Sequence, residues 1–559
     1  WVAEVGLLSG LVSAFWVIPF WWYRSHLNDM GWEKLTSYSS YLWSRDHLAA
    51  DFLTNDPPLQ LAIVLAVVGA VLSLIFRRRL GVVLSISVVV LALAFIYLPE
   101  GRLYNGRLLP AYYLSIYLLA AIAIAEIIRI LGLLVSRAAK GKERIGNLVS
   151  GSIGFLAVVF FIFYLAVPLR VLPGGKMQGN AYQWMGYETE DLNIGRSWAL
   201  WNFEGYEART GDSTGGGWEE LVDFVVTMDD QARDYGCGRL MWEYSSELTR
   251  YGTPMAPMLM PHWTDGCIGS MEGLYFESST TTPFHFLIQS ELSTAPSRAQ
   301  RDLPYRSFDI DAGIDHLQQF GVKYYAASSQ VATEKAKQHS SLTQIANSGP
   351  WTIFKVKNSE LVTQLDFEPA VFTQLEHSEW LDPSVEVFQK GSQAVVRTLG
   401  GMDHWQYVDL EEEPERIGLP RVEISEINVD TDRIEFKVEE IGVPVIVKTS
   451  YFPNWKVEGA RGPWRATPNL MVVVPTEKEV TLDYSRSSVE VVSILLTLFG
   501  LISLAFVARK SSSSDFSFTW FDSNLIFPDF DKRLDKWAKS NLDEDEKENF
   551  GLPNEEVQS

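Results

Sequence analysis

The chain has 559 residues, more than one hydrophobic core normally organises, so two or more folded units are expected. Its 69 Asp and Glu outnumber 47 Lys and Arg, and this formal net charge of −22 argues against a nucleic-acid-binding surface. The cysteines, Cys237 and Cys267, lack the paired spacing of a zinc site. They would form a disulfide in an oxidising compartment, or remain two buried thiols.

Apolar residues are concentrated in the first third of the chain and again near its end. Six segments reach the length of roughly 20 residues that a membrane-spanning helix needs. They are residues 5–23, 59–76, 80–98, 108–135, 148–171 and 489–507. Trp1 enters an apolar run with neither an initiator Met nor a signal peptide, so we expect the chain to continue a longer protein.

Basic residues give the spans a direction, because positively charged short loops stay in the cytoplasm. The clusters at 77–79, 137–144 and 509–510 all fall on one side if the spans alternate. Residues 24–58, 99–107 and 172–488 then face outward from the plasma membrane. Pro19 and Pro168 should kink their spans, and Glu126 and Arg129 should pair on one helical face, with a proton or ion relay as the alternative.

The long outward segment changes character along its length. Residues 174–217 lack periodicity and predict loops, whereas helix–strand pairs at 218–234 with 239–244 and at 314–320 with 322–326 predict an α/β layer. Short alternating runs at 422–429, 433–438, 443–450, 470–474 and 479–484 predict a small antiparallel β-sandwich.

These patterns together predict an α-helical transmembrane bundle with an extracytoplasmic α/β domain and a small antiparallel β-sandwich. The expected domains are a membrane domain with five transmembrane helices at 1–171, the α/β domain at 172–420 and the sandwich at 421–488. A last transmembrane helix follows at 489–507. The acidic tail at 508–559 is expected to be disordered in the cytoplasm.

Two outward segments combine charge, aromatic residues and glycine, at 26–34 and 101–110. In the second, Arg102 and Arg107 flank Tyr104 and Asn105, and arginine's forked donors suit phosphate oxygens. We predict that these four residues bind a substrate, with the arginines holding the phosphate of a lipid-linked donor. The alternative is that the arginines pair with lipid headgroups or with Glu100.

Acidic residues in the first of these segments are weak candidates for catalysis. Asp29 and Glu33 are four apart and would share a helical face, where one acts as a base or a metal ligand. The alternative for Glu33 is a surface ion pair with Lys34. Phosphate-loop, HExxH, nucleophile-elbow and kinase motifs are absent from the sequence, and the scattered histidines predict hydrogen-bonded core or surface residues.

Four strings of the sequence resemble one family. They are NDMGWEKL at 28–35, YNGRLLP at 104–110, WTDGCIGSMEG at 263–273 and YFPNWK at 451–456. They are similar to large actinobacterial membrane proteins labelled as having a "6-pyruvoyl-tetrahydropterin synthase-related" membrane domain. The label implies no pterin chemistry here, because the three-histidine zinc site of such a synthase has no counterpart. The architecture is similar to that of GT-C membrane glycosyltransferases, whose catalytic acid lies in a first outward loop upstream of this segment.

The resemblance implies an envelope glycosyltransferase that uses a polyprenyl-phosphate-linked sugar donor and an envelope glycan acceptor, with the lipid bilayer as a further partner. A non-catalytic protein for envelope assembly or glycan binding is the alternative. A transporter is disfavoured, because few ionisable residues lie in the spans and no paired broken helices are predicted. No cofactor is assigned, and a divalent metal ion stays open for the enzyme.

Overall fold

The computed structural model describes residues 2–43, 59–99, 101, 104–140, 142–169, 173–178, 181–189, 217–273 and 276–513. They fall into two compact units. The first unit draws on residues 1–33, 101–103 and 202–514, and the second on residues 34–100, 104–201 and 515–559.

The first predicted span is two helices, α1 (Val2–Val12) and α2 (Ala14–Trp22), which meet at an angle of 75°. The bend lies at Ser13, whose hydroxyl donates to the Ser9 carbonyl oxygen at 2.7 Å. Such a bond from a side chain to the preceding turn often bends a helix. Pro19 lies within α2, beyond this bend, and the predicted kink at Pro19 itself stays a prediction.

The described residues of the second unit form five α-helices. They are α3 (Tyr38–Trp43), α4 (Leu59–Ile75), α5 (Arg79–Tyr97), α6 (Leu109–Ala138) and α7 (Glu143–Leu169). The helices α5, α6 and α7 are long and apolar enough to cross a membrane. The helix α4 has 17 residues, which at 1.5 Å per residue is about 26 Å, slightly less than the roughly 30 Å of hydrocarbon.

Small residues let the helices of this unit approach closely, as in many membrane bundles. A Cβ added at Gly69 of α4 would lie 2.1 Å from the Leu119 carbonyl oxygen of α6. The predicted pair of Glu126 and Arg129 is confirmed at 2.7 Å, and Arg78 joins it at 2.6 Å. One carboxylate therefore accepts hydrogen bonds from two arginines.

The segment that follows α7 contains structure where loops were predicted. Three short strands, β1 (Lys176–Gln178), β2 (Ala181–Trp184) and β3 (Tyr187–Thr189), form an antiparallel sheet. The prediction of loops is therefore wrong for the residues of these three strands. Residues 179–180 and 190–216 of that predicted loop region lie outside the described residues.

The predicted α/β layer is present in the first unit. The helix α8 (Gly217–Tyr235) leads into β4 (Gly238–Trp242), and α11 (Ile310–Gln319) leads into β6 (Val322–Ala327). These strands are central in a five-stranded sheet of order β5-β4-β6-β8-β7. The remaining elements are β5 (Ile268–Ser270), β7 (Leu342–Ser348), β8 (Trp351–Val356), α9 (Met260–Trp263), α10 (Thr282–Leu292) and α12 (Gln330–Gln338).

A disulfide joins Cys237 and Cys267, whose Cα atoms are 4.7 Å apart. The two cysteines precede the neighbouring strands β4 and β5, and the Gly238 amide donates to the Cys267 carbonyl oxygen at 3.0 Å. Of the two states left open by the sequence, the structure has the disulfide.

Two further sheets follow. A seven-stranded sheet has the order β12-β10-β11-β17-β18-β15-β9, and a four-stranded sheet has the order β13-β14-β19-β16. Their strands are β9 (Val362–Gln364), β10 (Ala370–Phe372), β11 (Arg397–Leu399), β12 (Gln406–Val408), β13 (Ile424–Val429), β14 (Arg433–Val438), β15 (Val445–Val447), β16 (Trp455–Glu458), β17 (Ala460–Ala466), β18 (Leu470–Pro475) and β19 (Glu479–Tyr484), with helix α13 (Leu381–Gln389) between β10 and β11.

Alternating residues of these sheets share one hydrophobic core. It contains Val445 and Met471 from the seven-stranded sheet and Phe436 and Leu482 from the four-stranded sheet. The seven-stranded sheet takes strands from both sides of the predicted boundary at residue 421, and β10 pairs in parallel with β11 and β12. The boundary therefore does not separate the sheets. The strands within 421–488 pair with one another in antiparallel fashion, and the parallel pairs lie before that boundary.

The last helix, α14 (Ser488–Ser513), begins directly after β19 and is long and apolar enough to cross a membrane. In the described part of the chain, four helices meet that criterion, or five if α1 and α2 form one span, against six predicted. The helix α14 extends past residue 507, and residues 514–559 of the predicted tail lie outside the described residues.

Thr497 of α14 explains the break between α1 and α2. Its hydroxyl accepts from the Phe15 amide at 3.0 Å and donates to the Leu11 carbonyl oxygen at 3.2 Å. These are the two backbone groups that an uninterrupted helix would pair directly. A side chain inserted into this ladder is a recognised cause of kinks. Gly500, one turn further along, lets the backbones approach: a Cβ there would lie 2.7 Å from Leu11 Cβ.

Candidate functional site

Asn105, predicted to bind a substrate, holds backbone segments of its own unit together. It is 1% exposed, and its side-chain oxygen accepts from the Leu35 amide at 2.9 Å. Its side-chain nitrogen donates to the carbonyl oxygens of Leu35 at 3.0 Å and Phe95 at 3.1 Å. These three bonds give Asn105 a structural role.

The neighbouring predicted residues lie around a 3₁₀ turn (Asn105–Leu108) that leads into α6. Arg107 is exposed on this turn, and the Tyr104 ring packs over Gly106, where an added Cβ would lie 2.6 Å from the ring. Arg102 lies outside the described residues. The predicted grouping of the two arginines around a phosphate thus stays a prediction.

Asp29 and Glu33 do not share a helical face. Asp29 precedes a 3₁₀ turn (Gly31–Glu33), and its carboxylate accepts from the Gly31 amide at 2.8 Å. Glu33 lies 3.8 Å from Arg301, rather than in the alternative pair with Lys34. Residues Gly31–Glu33 form a single 3₁₀ turn, in which the Glu33 amide donates to the Met30 carbonyl oxygen at 3.1 Å.

A polar cavity of about 310 Å³ lies in the first unit, and we name it the Glu272 cavity. Residues 270–273 line it as they leave β5, so much of the string 263–273 leads directly into this site. Hydroxyl groups dominate the lining, from Ser270, Ser278, Ser279, Thr281, Thr282 and Ser450. Sequence reasoning singled out the string but could not show that it borders a cavity.

Glu272 is the carboxylate of this cavity and is 8% exposed. Its Oε2 lies 3.3 Å from Nε2 of His285, a buried residue of α10, as expected for a core histidine. The geometry of this contact does not make a hydrogen bond, and Glu272 Oε2 and His285 Nδ1 have no hydrogen-bond partner among the described residues. A buried carboxylate oxygen with no hydrogen-bond donor is costly, and Oε2 lies against His285 with almost no accessible surface.

Arg239 of β4 supplies the cavity with a cation. Its guanidinium donates to the Phe320 carbonyl oxygen at 2.8 Å and the Lys448 carbonyl oxygen at 2.5 Å. A longer contact of 3.4 Å reaches the Thr449 hydroxyl. Arg239 thereby holds the five-stranded sheet, the end of α11 and the segment after β15 together at the cavity wall.

A hydrogen-bonded chain behind the wall orients two of the cavity hydroxyls. Arg465, which is 1% exposed, donates to Asn469 Oδ1 at 2.8 Å, and Asn469 Nδ2 donates to the Thr281 hydroxyl at 2.9 Å. Thr281 and Ser450 are joined through their hydroxyls at 2.8 Å. Arg465 also donates to Thr280 at 2.7 Å, and burial lowers its pKa to about 9.

Two histidines pack between Arg465 and the end of α2. The rings of His26 and His377 have centroids 4.4 Å apart, and Arg465 donates to the His377 carbonyl oxygen at 3.0 Å. Burial, followed by the nearby His377 and Arg465, lowers the pKa of His26 to about 3. Both imidazoles are therefore neutral near neutral pH, and they join the turn after α2 to the β-sheets.

A second cavity of about 290 Å³ shares Lys448 and Leu470 with the first as lining residues. The Lys448 ammonium donates to the Gln318 carbonyl oxygen at 2.8 Å, and burial lowers its pKa to about 8. Amide, carboxylate and aromatic side chains line this cavity, among them Asp366 and Phe367. Among the residues that the structure describes, no three His, Cys, Asp or Glu side chains meet in a way that could hold a metal ion.

The β-sheets are fastened to α14 by polar contacts at its first turn. Asn454 donates to the Ser485 carbonyl oxygen at 3.1 Å and to the Glu490 carboxylate at 2.8 Å. Glu490 also accepts from the Ser487 amide at 2.6 Å, and Tyr23 donates to the Ser487 hydroxyl at 2.5 Å. The string 451–456 thus forms the joint between the sheets and the last apolar helix.

No family model and no curated protein matches the chain. Two solved structures do, both of the arabinofuranosyltransferase AftD from mycobacteria. The first is 12% identical, with a TM-score of 0.29, over 86% of this chain and 41% of that chain. The second, a mutant, is 11% identical, with a TM-score of 0.27, over 86% of this chain and 43% of that chain. The chain spans about two fifths of their length, and at these TM-scores the likeness decides neither its fold nor its activity.

Proposed function

We propose that the chain is the glycan-handling part of a membrane-bound cell-envelope glycosyltransferase that takes its sugar from a polyprenyl-phosphate donor. The observation that carries the proposal is the Glu272 cavity, which lies in the same compact unit as the apolar helix α14. The contacts of Asn454 and Glu490 fasten the sheets of this unit to that helix. A ligand in the cavity would therefore be bound by the same folded unit that carries this apolar helix.

The chemistry of the cavity suits a saccharide. Its volume of about 310 Å³ lies at the small end of the roughly 300–1,000 Å³ range of ligand pockets. A sugar hydroxyl both donates and accepts hydrogen bonds, and the lining offers each partner. Glu272 accepts, Arg239 donates, and the serine and threonine hydroxyls do both.

Three further elements belong to the proposal. The large domain lies outside the plasma membrane, supported by the Cys237–Cys267 disulfide, because disulfides persist in oxidising compartments. Arg102 and Arg107 hold the donor phosphate, and the acceptor glycan occupies the Glu272 cavity. The catalytic acid is left unassigned, since the carboxylates of Asp29 and Glu33 already contact groups of the protein.

Ligand binding tests the cavity. The chain purified in detergent should show saturation-transfer NMR signals from oligosaccharides released from the cell envelope. Glu272→Gln, which keeps the shape but weakens the acceptor, should reduce these signals several-fold. The exposed Glu477→Gln serves as the matched control and should leave them unchanged. Equal signals from all three proteins would rule out the cavity as the glycan site.

Sugar transfer tests the enzyme. Membranes that contain the protein should incorporate sugar from a labelled polyprenyl-phosphate donor into envelope glycan. The double variant Arg102→Gln, Arg107→Gln should abolish incorporation, while the exposed Arg421→Gln should retain it. Unchanged incorporation by the double variant would refute the donor site.

A non-catalytic glycan-binding protein for envelope assembly is the second candidate. This candidate is favoured because both candidate acids already contact other groups of the protein. Asp29 accepts a hydrogen bond from a backbone amide, and Glu33 lies near Arg301. Glycan binding without transfer from any polyprenyl-phosphate sugar would support this candidate over the enzyme.

A further inference from the structure

Three cations lie in or directly behind the walls of the Glu272 cavity: Arg239, Lys448 and Arg465. The hydrogen-bond acceptors of all three are neutral, namely backbone carbonyls, hydroxyls, an amide oxygen and a histidine ring nitrogen. Within the described ranges, none of the three forms an ion pair with a carboxylate. These hydrogen bonds thus hold the three side chains in position but do not neutralise their positive charges.

The hydrogen bonds of Arg239 do not use all of its N–H groups. A guanidinium carries five N–H groups, and the three contacts to Phe320, Lys448 and Thr449 engage only its two terminal nitrogens. Its Nε–H and one terminal N–H therefore have no acceptor among the residues that the structure describes. These two groups form the fork with which arginine binds carboxylate or phosphate oxygens.

The chain from Arg465 adds a hydroxyl donor at the same place. Because Asn469 directs its oxygen to Arg465, its nitrogen must donate to Thr281. Thr281 and Ser450 then share one hydroxyl proton between their oxygens, whichever of them donates. The other hydroxyl proton is left for the cavity, so the wall offers a ligand an additional donor.

Acidic groups near the cavity are few, although the chain carries a net charge of −22. Of the described residues that line the cavity, Glu272 alone is acidic. Glu360 acts on Lys448 electrostatically but lines the neighbouring cavity. Among the described lining residues, the two cations Arg239 and Lys448 therefore outnumber the single carboxylate of Glu272.

Building on the saccharide site proposed above, we propose that the Glu272 cavity selects a sugar that carries an anionic group, a carboxylate or a phosphate. The anionic group binds the free N–H groups of Arg239 and the hydroxyl donor of the Thr281–Ser450 pair. Glu272 accepts a hydroxyl from the neutral part of the same sugar. Burial lowers the pKa of Lys448 to about 8 and of Arg465 to about 9, and a bound anion would offset part of that cost.

Three probes that share one ring test this selectivity on the purified chain: D-galactose, D-galacturonate and α-D-galactose 1-phosphate. Dissociation constants come from saturation-transfer NMR at low and at physiological salt. Because hydrogen bonds between charged groups are about twice as strong as neutral ones, an anionic probe should bind at least about tenfold more tightly than galactose. Whichever of the two anionic probes binds more tightly identifies the anionic group.

Variants assign the effect to residues. Glu272→Gln removes the negative charge and should strengthen binding of the anionic probes relative to galactose several-fold. Arg239→Gln should abolish the preference for an anion. Because Arg239 also supports the cavity wall, Ser450→Ala provides a second variant, which should reduce the preference about threefold with the fold intact. The exposed Lys456→Met should change nothing.

The outcomes separate this inference from the proposed function. Equal affinity for galactose and both anionic probes would refute the selectivity and leave the saccharide site standing. Failure of all three probes to bind would refute the saccharide site itself. Inorganic phosphate binding as tightly as galactose 1-phosphate would show that the sugar ring is not recognised, which would also overturn the inference.

Discussion

Replacing Thr497 with valine removes the hydroxyl from the break between α1 and α2 while preserving the shape of the side chain. The amide of Phe15 and the carbonyl of Leu11 both lose their partner, at 3.0 Å and 3.2 Å respectively. Water cannot replace the hydroxyl in hydrocarbon, so the two groups must stay unpaired or pair with each other. Direct pairing would require α1 and α2 to straighten against the close contact of Gly500 with Leu11.

The cost follows from two hydrogen bonds in a membrane. Double-mutant measurements in another membrane protein average about 0.6 kcal/mol per bond and reach about 1.7. Thr497→Val should therefore reduce the free energy of unfolding by about 1–3 kcal/mol. Thr497→Ser keeps the hydroxyl and should lose less than about 0.5 kcal/mol, since it removes only a methyl group.

Unfolding in mixed micelles, titrated with sodium dodecyl sulfate and followed by tryptophan fluorescence, measures both variants. The serine variant, which keeps the hydroxyl and loses only the methyl group, is the matched control. If the valine and serine variants unfold at the same detergent fraction as the parent chain, the hydroxyl does not hold the break, and the explanation of the 75° bend is wrong.

Three other predictions concern single groups. Because the folded state lowers the pKa of His26 to about 3, the unfolded chain binds more protons between about pH 3 and 6.5. The stability that neutral His26 contributes is present above pH 6.5 and lost as the pH falls. Between pH 7.5 and 5, the parent chain should therefore lose about 2 kcal/mol more stability than His26→Asn in thermal unfolding, while the exposed His262→Asn behaves like the parent. Glu126→Gln deprives two arginines of their charged acceptor and should cost about 2 kcal/mol in the micelle titration, and a neutral result would make the cluster dispensable. Cys237→Ser opens the cross-link over a separation of 30 residues and should cost about 3 kcal/mol, which chemical denaturation with and without reductant checks; identical midpoints would refute it.

Local patterns predicted the elements that depend on neighbouring residues. The strands β14 and β19 occur at the predicted residues, because alternating apolar positions report which face of a strand is buried. The pair of Glu126 and Arg129 followed from helical spacing alone. The strand order of the seven-stranded sheet did not follow, since β9 and β15 are adjacent in space but distant in sequence.

The residues of the candidate site could likewise not be grouped from local sequence patterns. Arg239, Glu272 and Ser450 come from three distant segments, and no local pattern indicates that they border one cavity. In the sequence, Thr497 is an ordinary polar residue within an apolar span. No sequence pattern therefore predicted that its hydroxyl is inserted between the backbone groups of Leu11 and Phe15. Asn105 was predicted to bind a substrate because its loop is polar. In the structure it is buried and has a structural role.

Photo-cross-linking tests whether the Glu272 cavity binds envelope glycan. An envelope oligosaccharide that carries a diazirine is irradiated with the detergent-purified chain, and the modified peptides are identified by mass spectrometry. We expect modification within residues 270–282 and 448–450, and we expect excess unlabelled oligosaccharide or Glu272→Gln to reduce it. Modification confined to other surfaces, or unaffected by the competitor, would contradict this expectation.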